Sequence, residues 1–315
     1  MKITYLEKPS ALADLIAEHR RKPSLFETWR LHFHGVDGFD VYNVSQEFDW
    51  NGKRLIAGRV EARDSEVSSV YFFEKIDFGV YRVIPGAVIP LFQDPCIAVI
   101  DDQVIVGGTK IETDVNGRIF SWHTAFYAGN ALSNLKLVAE APAKMKDVRL
   151  VQTDRIHVFT RPQGGHAGAG MIGYYSCYDL AGVNPLAIAM APLLTTQFPE
   201  GCWGGVNQIL PLKNGLLGIV GHIATMSAGD IRHYYGMAFA FDPETRQRTK
   251  VKILCERNDF ALGMAKRSDL ADVVFLGGLQ RMPNCIATIY TGLSDAEAHA
   301  AVIDDPFCEY EDERE

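Results

Sequence analysis

The sequence lacks the marks of several large protein classes. It has no long hydrophobic run. The longest apolar stretches, such as Leu186 to Leu194, contain a proline, here Pro192, and fall far short of the roughly 18 residues of a membrane helix. Met1 to Lys8 has no basic stretch followed by an apolar one, so a cytoplasmic chain without a secretory signal is expected. Basic charge is in deficit: Lys and Arg total 31 against 39 Asp and Glu, for a net charge of −8. A nucleic-acid backbone needs clustered cations, so that partner is not expected; a neutral ligand, or one held by a few local cations, suits the balance better. The six cysteines contain no CxxC pair and read as reduced, mostly buried thiols. The nine histidines show no HxxxH spacing. His32-Phe33-His34 puts two imidazoles on one strand face without a third ligand, so no metal is expected. Neither a GxSxG elbow nor a phosphate-binding strand–turn–helix glycine motif is present.

Helix is also scarce. One amphipathic helix is predicted over about residues 10–21, with Leu12, Leu15 and Ile16 as its stripe, and a short helical piece is predicted from Ser294. Nearly everything else is short apolar runs between turn residues, the pattern of an all-β protein. The runs repeat every 50 to 60 residues or so, a blade-sized period. The units are 39–84, with the turn Trp50-Asn51-Gly52 before its second strand; 96–139, with Asp101-Asp102 and Asn116-Gly117; 148–191; 208–255, with Asn214-Gly215; and a weak fifth, 273–303, which the N-terminal segment could complete. No linker divides the chain. The expectation is one five-bladed β-propeller domain over 1–315 with a short N-terminal helix, against a two-sheet sandwich or two domains. Homo-oligomers remain compatible with it.

Five polar features stand at strand ends, where propellers collect their chemistry. In Arg59-Val60-Glu61-Ala62-Arg63-Asp64-Ser65-Glu66, alternation puts Arg59, Glu61 and Arg63 on one face, so that two guanidiniums flank a carboxylate; a salt-bridged solvent face gives the same pattern. In Gln93-Asp94-Pro95, proline is expected to keep Asp94 extended. A carboxyl there, among Leu91, Phe92 and Ile97, suits a general acid or an ordinary Asx turn. Arg161 ends an apolar strand before a glycine-rich loop and can grip an anion or a hydroxyl, or simply cap the strand. Trp203 with Asn207 and Gln208 offers a ring face beside amides, fit for a sugar or for a core turn. His222 ends an apolar strand as a ligand contact or a core histidine, and Trp122-His123 is a weaker pair of the same kind.

In order along the chain, Tyr42-Asn43 with Gly58-Arg59-Val60-Glu61 and Ser68, Gln93-Asp94-Pro95 with Ile100-Asp101, Phe159-Thr160-Arg161-Pro162, Asn214-Gly215-Leu216-Leu217 with Gly221-His222, and Thr288-Ile289-Tyr290-Thr291-Gly292 with Asp295 resemble the motifs of five-bladed propeller glycosidases. The resemblance is greatest to the mannoside phosphorylases and mannosidases of glycoside hydrolase family 130, and to a bacterial family of uncharacterised relatives. It implies that Asp94 takes the place of the catalytic acid, delivering its proton through a sugar hydroxyl, and that Arg161 and His222 lie on the phosphate or water side. Gln93 stands where that family has Glu, and no Lys lies near 204–207, where its phosphorylases place one for phosphate. This weighs toward hydrolysis or binding.

The sequence therefore predicts an inverting, metal-free glycoside hydrolase or phosphorylase acting on a small saccharide, with inorganic phosphate as an optional co-substrate and no other cofactor. Asp94 is the expected acid and Glu61 the base, with Asp64 and Glu66 in reserve. Asn43, Arg59, Arg63, Gln93, Arg161, Trp203, Asn207, Gln208 and His222 are the expected substrate contacts. A non-catalytic sugar-binding propeller keeps the same pocket without an acid–base pair. A protein-interaction propeller would show an apolar rim instead.

Overall fold

The computed structural model describes residues 4–22, 24–195 and 197–311. Helix forms at Leu12–Arg21, two residues later than the pattern predicts. Leu12, Leu15 and Ile16 lie against Val251 and Ile253. At its far end the helix is fixed by polar contacts: His19 Nε2 lies 2.9 Å from Asp259 and Arg20 clamps Glu256 with two bonds of 2.7 and 2.6 Å. The short helix predicted from Ser294 does not form; Glu297–Asp304 is strand.

The strands make four hydrogen-bonded sheets. The first runs from Asp40–Tyr42 and Phe48–Trp50 through Lys53–Glu61, Ser68–Asp77 and Val80–Pro90 to His32–His34. The second is an antiparallel meander of Phe92–Ile100, Gln103–Thr113, Ile119–Ala128 and Lys136–Glu140, and the third contains Arg149–Gln152, Ile156–Thr160 and Gly173–Cys177. The largest sheet is two antiparallel runs. Trp203–Pro211, Leu217–Ser227, Ile231–Phe241 and Lys252–Cys255 make one; Asp272–Met282, Ile286–Leu293, Glu297–Asp304 and Leu25–Arg30 make the other. Only a short parallel bridge, His233 to Asp272 and Tyr234 to Val273, joins them. The N-terminal strand thus completes the weak last unit by pairing antiparallel with Glu297–Asp304.

Local chemistry sets the hairpins. Asn51-Gly52 has φ of 48° and 76°, and Asp101-Asp102 has 49° and 59°; positive φ at both central residues matches the twist of the flanking strands. Apolar clusters then join each unit to the next: Phe72 with Phe92 and Val106, Ile105 and Phe126 with Val158, Phe159 with Ile219 and Met237, Val220 with Leu276 and Ile289, and Tyr290 with Val41 and Ile56. The last cluster brings the end of the chain back to its start. Between the inner strands, Arg149 Nε donates to the Asn207 carbonyl at 2.9 Å and Gln208 Oε1 accepts from Leu279 N at 2.5 Å. Gly277 is required there, because a Cβ would stand 1.8 Å from the Val44 carbonyl oxygen.

One expectation about cysteine is corrected. Cys285 and Cys308 form a disulfide, with Cα atoms 5.7 Å apart. No sequence spacing announces it, because a hairpin turn and the start of the helix Cys308–Glu311 meet only in the fold. Cys96 and Cys255 are buried thiols. No helix among the described residues is long and apolar enough to cross a membrane.

Candidate active site

Inner strand ends from all four sheets converge on one cavity of about 180 Å³. This lies below the roughly 300–1,000 Å³ of drug-sized ligand pockets and suits a small ligand. Its lining carries five cationic side chains, Arg59, Lys146, Arg161, Arg232 and Arg267, and three carboxyls, Asp94, Asp147 and Asp295.

One group in the lining is Asn43, Asp94 and Asp295, with φ of 44°, 51° and 50°. Asn and Asp are the non-glycine residues that tolerate this left-handed region. Asp94 is therefore not extended as Pro95 alone would dictate. The pairing of its strand shifts register between Gln93 and Cys96, and this bulge re-aims the side chain inward. Asn43 Nδ2 donates to Asp94 Oδ1 at 2.8 Å and Arg59 Nη1 approaches the same oxygen at 3.4 Å, which leaves Oδ2 for the cavity. Burial pushes the Asp295 carboxyl up, with Arg59 opposing and the Asp94 charge adding to the rise.

A second group in the lining is Lys146, Asp147, Arg161 and His222. Arg161 Nε donates to the Gly204 carbonyl at 2.9 Å. Its Nη1 lies 3.3 Å from Asp147 Oδ2 yet makes no hydrogen bond. Gly205 admits both Arg161 and His222: a Cβ there would lie 2.7 Å from Arg161 Cδ and 3.0 Å from His222 Cε1. The His222 ring stacks on Tyr234 at 5.4 Å, and its Nδ1 lies 2.8 Å from Asn207 Oδ1. With the amide oxygen as acceptor, Nδ1 carries the proton and Nε2 is left as an acceptor. Burial, aided by Arg161, lowers the His222 pKa to about 3, so the imidazole is neutral at physiological pH. Against the push of burial, Arg161, Lys146 and Arg149 lower the Asp147 pKa to about 2.

Of the residues singled out in the sequence, Asn43, Arg59, Asp94, Arg161 and His222 line this cavity. Glu61 does not. It is buried behind Arg59, which binds its Oε2 at 3.1 and 2.5 Å, while Tyr42 Oη and Lys266 Nζ occupy Oε1. A carboxylate held on both oxygens by two cations and a phenol is a poor base, so its expected role is corrected to holding Arg59. Arg63 follows the strand's end at Glu61 and turns away to Asp40. Asp64 is exposed, and Glu66, itself outside the lining, pairs with Lys266 and with the lining residue Arg267. Gln93 donates to the Glu66 carbonyl at 2.9 Å. Trp203 packs edge-on against Tyr234, Asn207 stands behind His222, and Gln208 is held between the inner strands.

The residues missed in the sequence are Lys146, Asp147, Arg232, Tyr234, Arg267 and Asp295. Asp295 belongs to a motif the sequence displays; Lys146-Asp147 sits in an irregular loop without a pattern. Among the described residues, the cluster with donor types and spacing for a metal is His19, Glu256 and Asp259, at the N-terminal helix rather than in the cavity. Arg20 already clamps its glutamate.

This architecture is that of propeller glycosidases. A β-1,2-mannobiose phosphorylase from Listeria innocua superimposes with a TM-score of 0.61 at 14% identity over 87% of this chain and 93% of its own, a likeness of fold alone. The chain belongs to the family described as "Protein of unknown function (DUF1861)", whose profile matches residues 17–309. A mannose phosphorylase from Leishmania mexicana, solved with a phosphate ion, is 33% identical, with 94% of this chain and 93% of that one covered and a TM-score of 0.87. A GDP-Man-dependent mannosyltransferase from the same organism is 28% identical over 95% of both chains, with a TM-score of 0.86. No curated protein matches.

Proposed function

We propose that this protein is a carbohydrate-active enzyme, a single five-bladed propeller that transfers the terminal mannosyl unit of a small mannoside to inorganic phosphate with inversion. The five apolar interfaces that lead from one unit to the next and back to the first support the blade count. The observation that carries the activity is the polarity of the cavity. Asp94 lines it together with Lys146 and with Arg161, whose Nη1 makes no hydrogen bond. The kinship with a mannose phosphorylase crystallised with phosphate agrees with that polarity.

In this reading the sugar lies in the cavity. Phosphate, held by Lys146 and Arg161 and accepted by His222 Nε2 through any proton it carries, attacks the anomeric carbon. The C–O bond to phosphate forms as the glycosidic C–O bond breaks; Asp94, protonated in the ternary complex, passes its proton to the departing oxygen, directly or through a sugar hydroxyl, and the proton given up by hydrogen phosphate restores it. Phosphate is already a nucleophile, so no base is needed; this fits the sequestration of Glu61. Lys146 supplies the cation that the sequence places nowhere near 204–207, which returns the balance toward phosphorolysis.

The test is ³¹P NMR of the protein with mannobiose and phosphate. Mannose 1-phosphate of inverted anomeric configuration is expected. Asp94→Asn should lower kcat by on the order of 10³-fold, within the range for loss of acid catalysis, in a protein that circular dichroism shows to be folded. Free mannose formed without phosphate would mean hydrolysis, saccharide binding without product a binding protein, and full turnover by Asp94→Asn would remove the acid.

A further inference from the structure

Next to the cavity lies a second cleft, of about 250 Å³, lined by Arg30, His32, Phe39, Asp40 and Glu297 among others. It shares two chain segments with the first. Asp40 and Val41 line the cleft and Asn43 the cavity; Asp295 lines the cavity and Ala296 to Ala298 the cleft. Only Tyr42 separates Val41 from Asn43, and Asp295 directly precedes Ala296, so the two linings adjoin along both segments.

The cleft has the makings of a sugar seat. Phe39 is 55% exposed although it is large and apolar, and it is presented by the turn in which its N–H bonds the Val36 carbonyl at 3.2 Å. Around this face the polar groups are fixed. Glu297 is held by Arg30 at 3.1 Å and by His299 at 3.1 Å. Asp40 accepts from Arg63 Nη2 at 2.6 Å. Carboxylates already oriented by cations keep lone pairs for hydroxyl donors, and an aromatic face takes the C–H side of a pyranose ring. His32 supplies a ring nitrogen beside them, which gives the His32-Phe33-His34 strand a use that needs no metal. The lining sets Arg30 against Asp37, Asp40 and Glu297, with Arg63 bonded to Asp40 from outside it; this acidic excess disfavours an anion and leaves acceptors for the hydroxyls of a neutral polyol.

We propose that this cleft is a second saccharide subsite, which holds a further unit of the mannoside whose terminal unit occupies the cavity. It rests on the mannoside reading above and extends it to the length of chain recognised.

The test is calorimetric titration of Asp94→Asn protein with mannose, mannobiose, mannotriose and mannotetraose, repeated with Phe39→Ala and with His32→Ala added. Both substitutions are at exposed positions, and circular dichroism verifies that each variant is folded. Affinity should rise by about tenfold once the chain is long enough to reach the cleft. That rise should disappear with Phe39→Ala and shrink with His32→Ala, with the value for mannose itself as the internal reference. A length dependence that survives Phe39→Ala, or none in the parent, overturns the subsite while leaving the mannoside reading in place. Failure of every saccharide to bind the folded parent overturns both.

Discussion

Arg59 and Arg161 are both buried in the same cavity wall system, at 5% and 2% exposure, yet they are used differently. Arg59 is closed off. Glu61 takes its Nε and Nη2, Asp94 Oδ1 lies 3.4 Å from its Nη1, and the Tyr42 ring lies under it at 4.9 Å. Arg161 has no hydrogen bond to a carboxylate. Backbone carbonyls of Gly204 and Ala169 take Nε and Nη2, and Nη1 keeps only an ion-pair distance to Asp147. A guanidinium has five donors in a fixed fork. Saturating them with carboxylates makes a strut; leaving one unsatisfied in a dry site makes a receptor for an incoming anion. The difference turns on which neighbour the inner strands supply, since the arginines themselves are chemically alike.

Exchanging the two fates tests this directly. Arg59→Met strips the buried Glu61 of its main partner. Removing one member of a buried pair typically costs about 3–5 kcal/mol, and Lys266 and Tyr42 still on Glu61 place the expectation near the low end. Urea unfolding should show a lower midpoint at unchanged slope; an unchanged midpoint would mean that Arg59 is no strut. Arg161→Met should spare more of the stability, because Asp147 keeps Arg149 at 3.5 Å and Lys146 nearby. It should instead raise the KM for phosphate on the order of 100-fold, the scale of a charge-assisted bond lost from a desolvated site. Lys146→Met, which removes a half-buried cation, should raise it about tenfold. Equal effects of the two arginine changes on both stability and phosphate KM would erase the contrast.

The contrast was only half legible in the sequence. Alternation correctly put Arg59 and Glu61 on one face of Lys53–Glu61, and hairpin signals such as Asn51-Gly52 marked turns that form as read, because both are set by neighbours in the chain. What was missed is set by distance. Lys266, which occupies Glu61, lies 205 residues away in sequence, so Glu61 looked available as a base. Lys146-Asp147 sits in a loop whose course depends on the sheets either side, and Asp147 has φ of 61°. The last unit looked weak because its outer strand, Leu25–Arg30, comes from the other end of the chain. The left-handed turn at Asp94 was hidden because local preference before proline favours the extended form, and the bulge overrides it.

The smallest expected effect concerns the proton balance around Arg161. His222 in the folded chain titrates near 3, whereas a histidine in the unfolded chain titrates near 6.5. Between these values the unfolded state binds the extra proton. Stability therefore rises with pH across the window and is lost as pH falls from about 6.5 toward 3, with a slope approaching 1.4 kcal/mol per pH unit from this group. Asp147, lowered to about 2, acts in the same direction but only below about pH 4, where its unfolded counterpart takes up a proton. Urea unfolding between pH 4.5 and 6 thus lies above the Asp147 range, and the raised Asp295 carboxyl, which acts with the opposite sign, is common to parent and variant. His157 and His299 are also lowered by burial and contribute in both proteins, so the comparison of His222→Gln with the parent removes them. The variant should show the shallower slope by up to about 1.4 kcal/mol per unit. An identical slope would mean that the imidazole is already charged in the folded protein, in which case Nε2 is a donor to phosphate rather than an acceptor and the group around Arg161 carries one more positive charge than assigned to it.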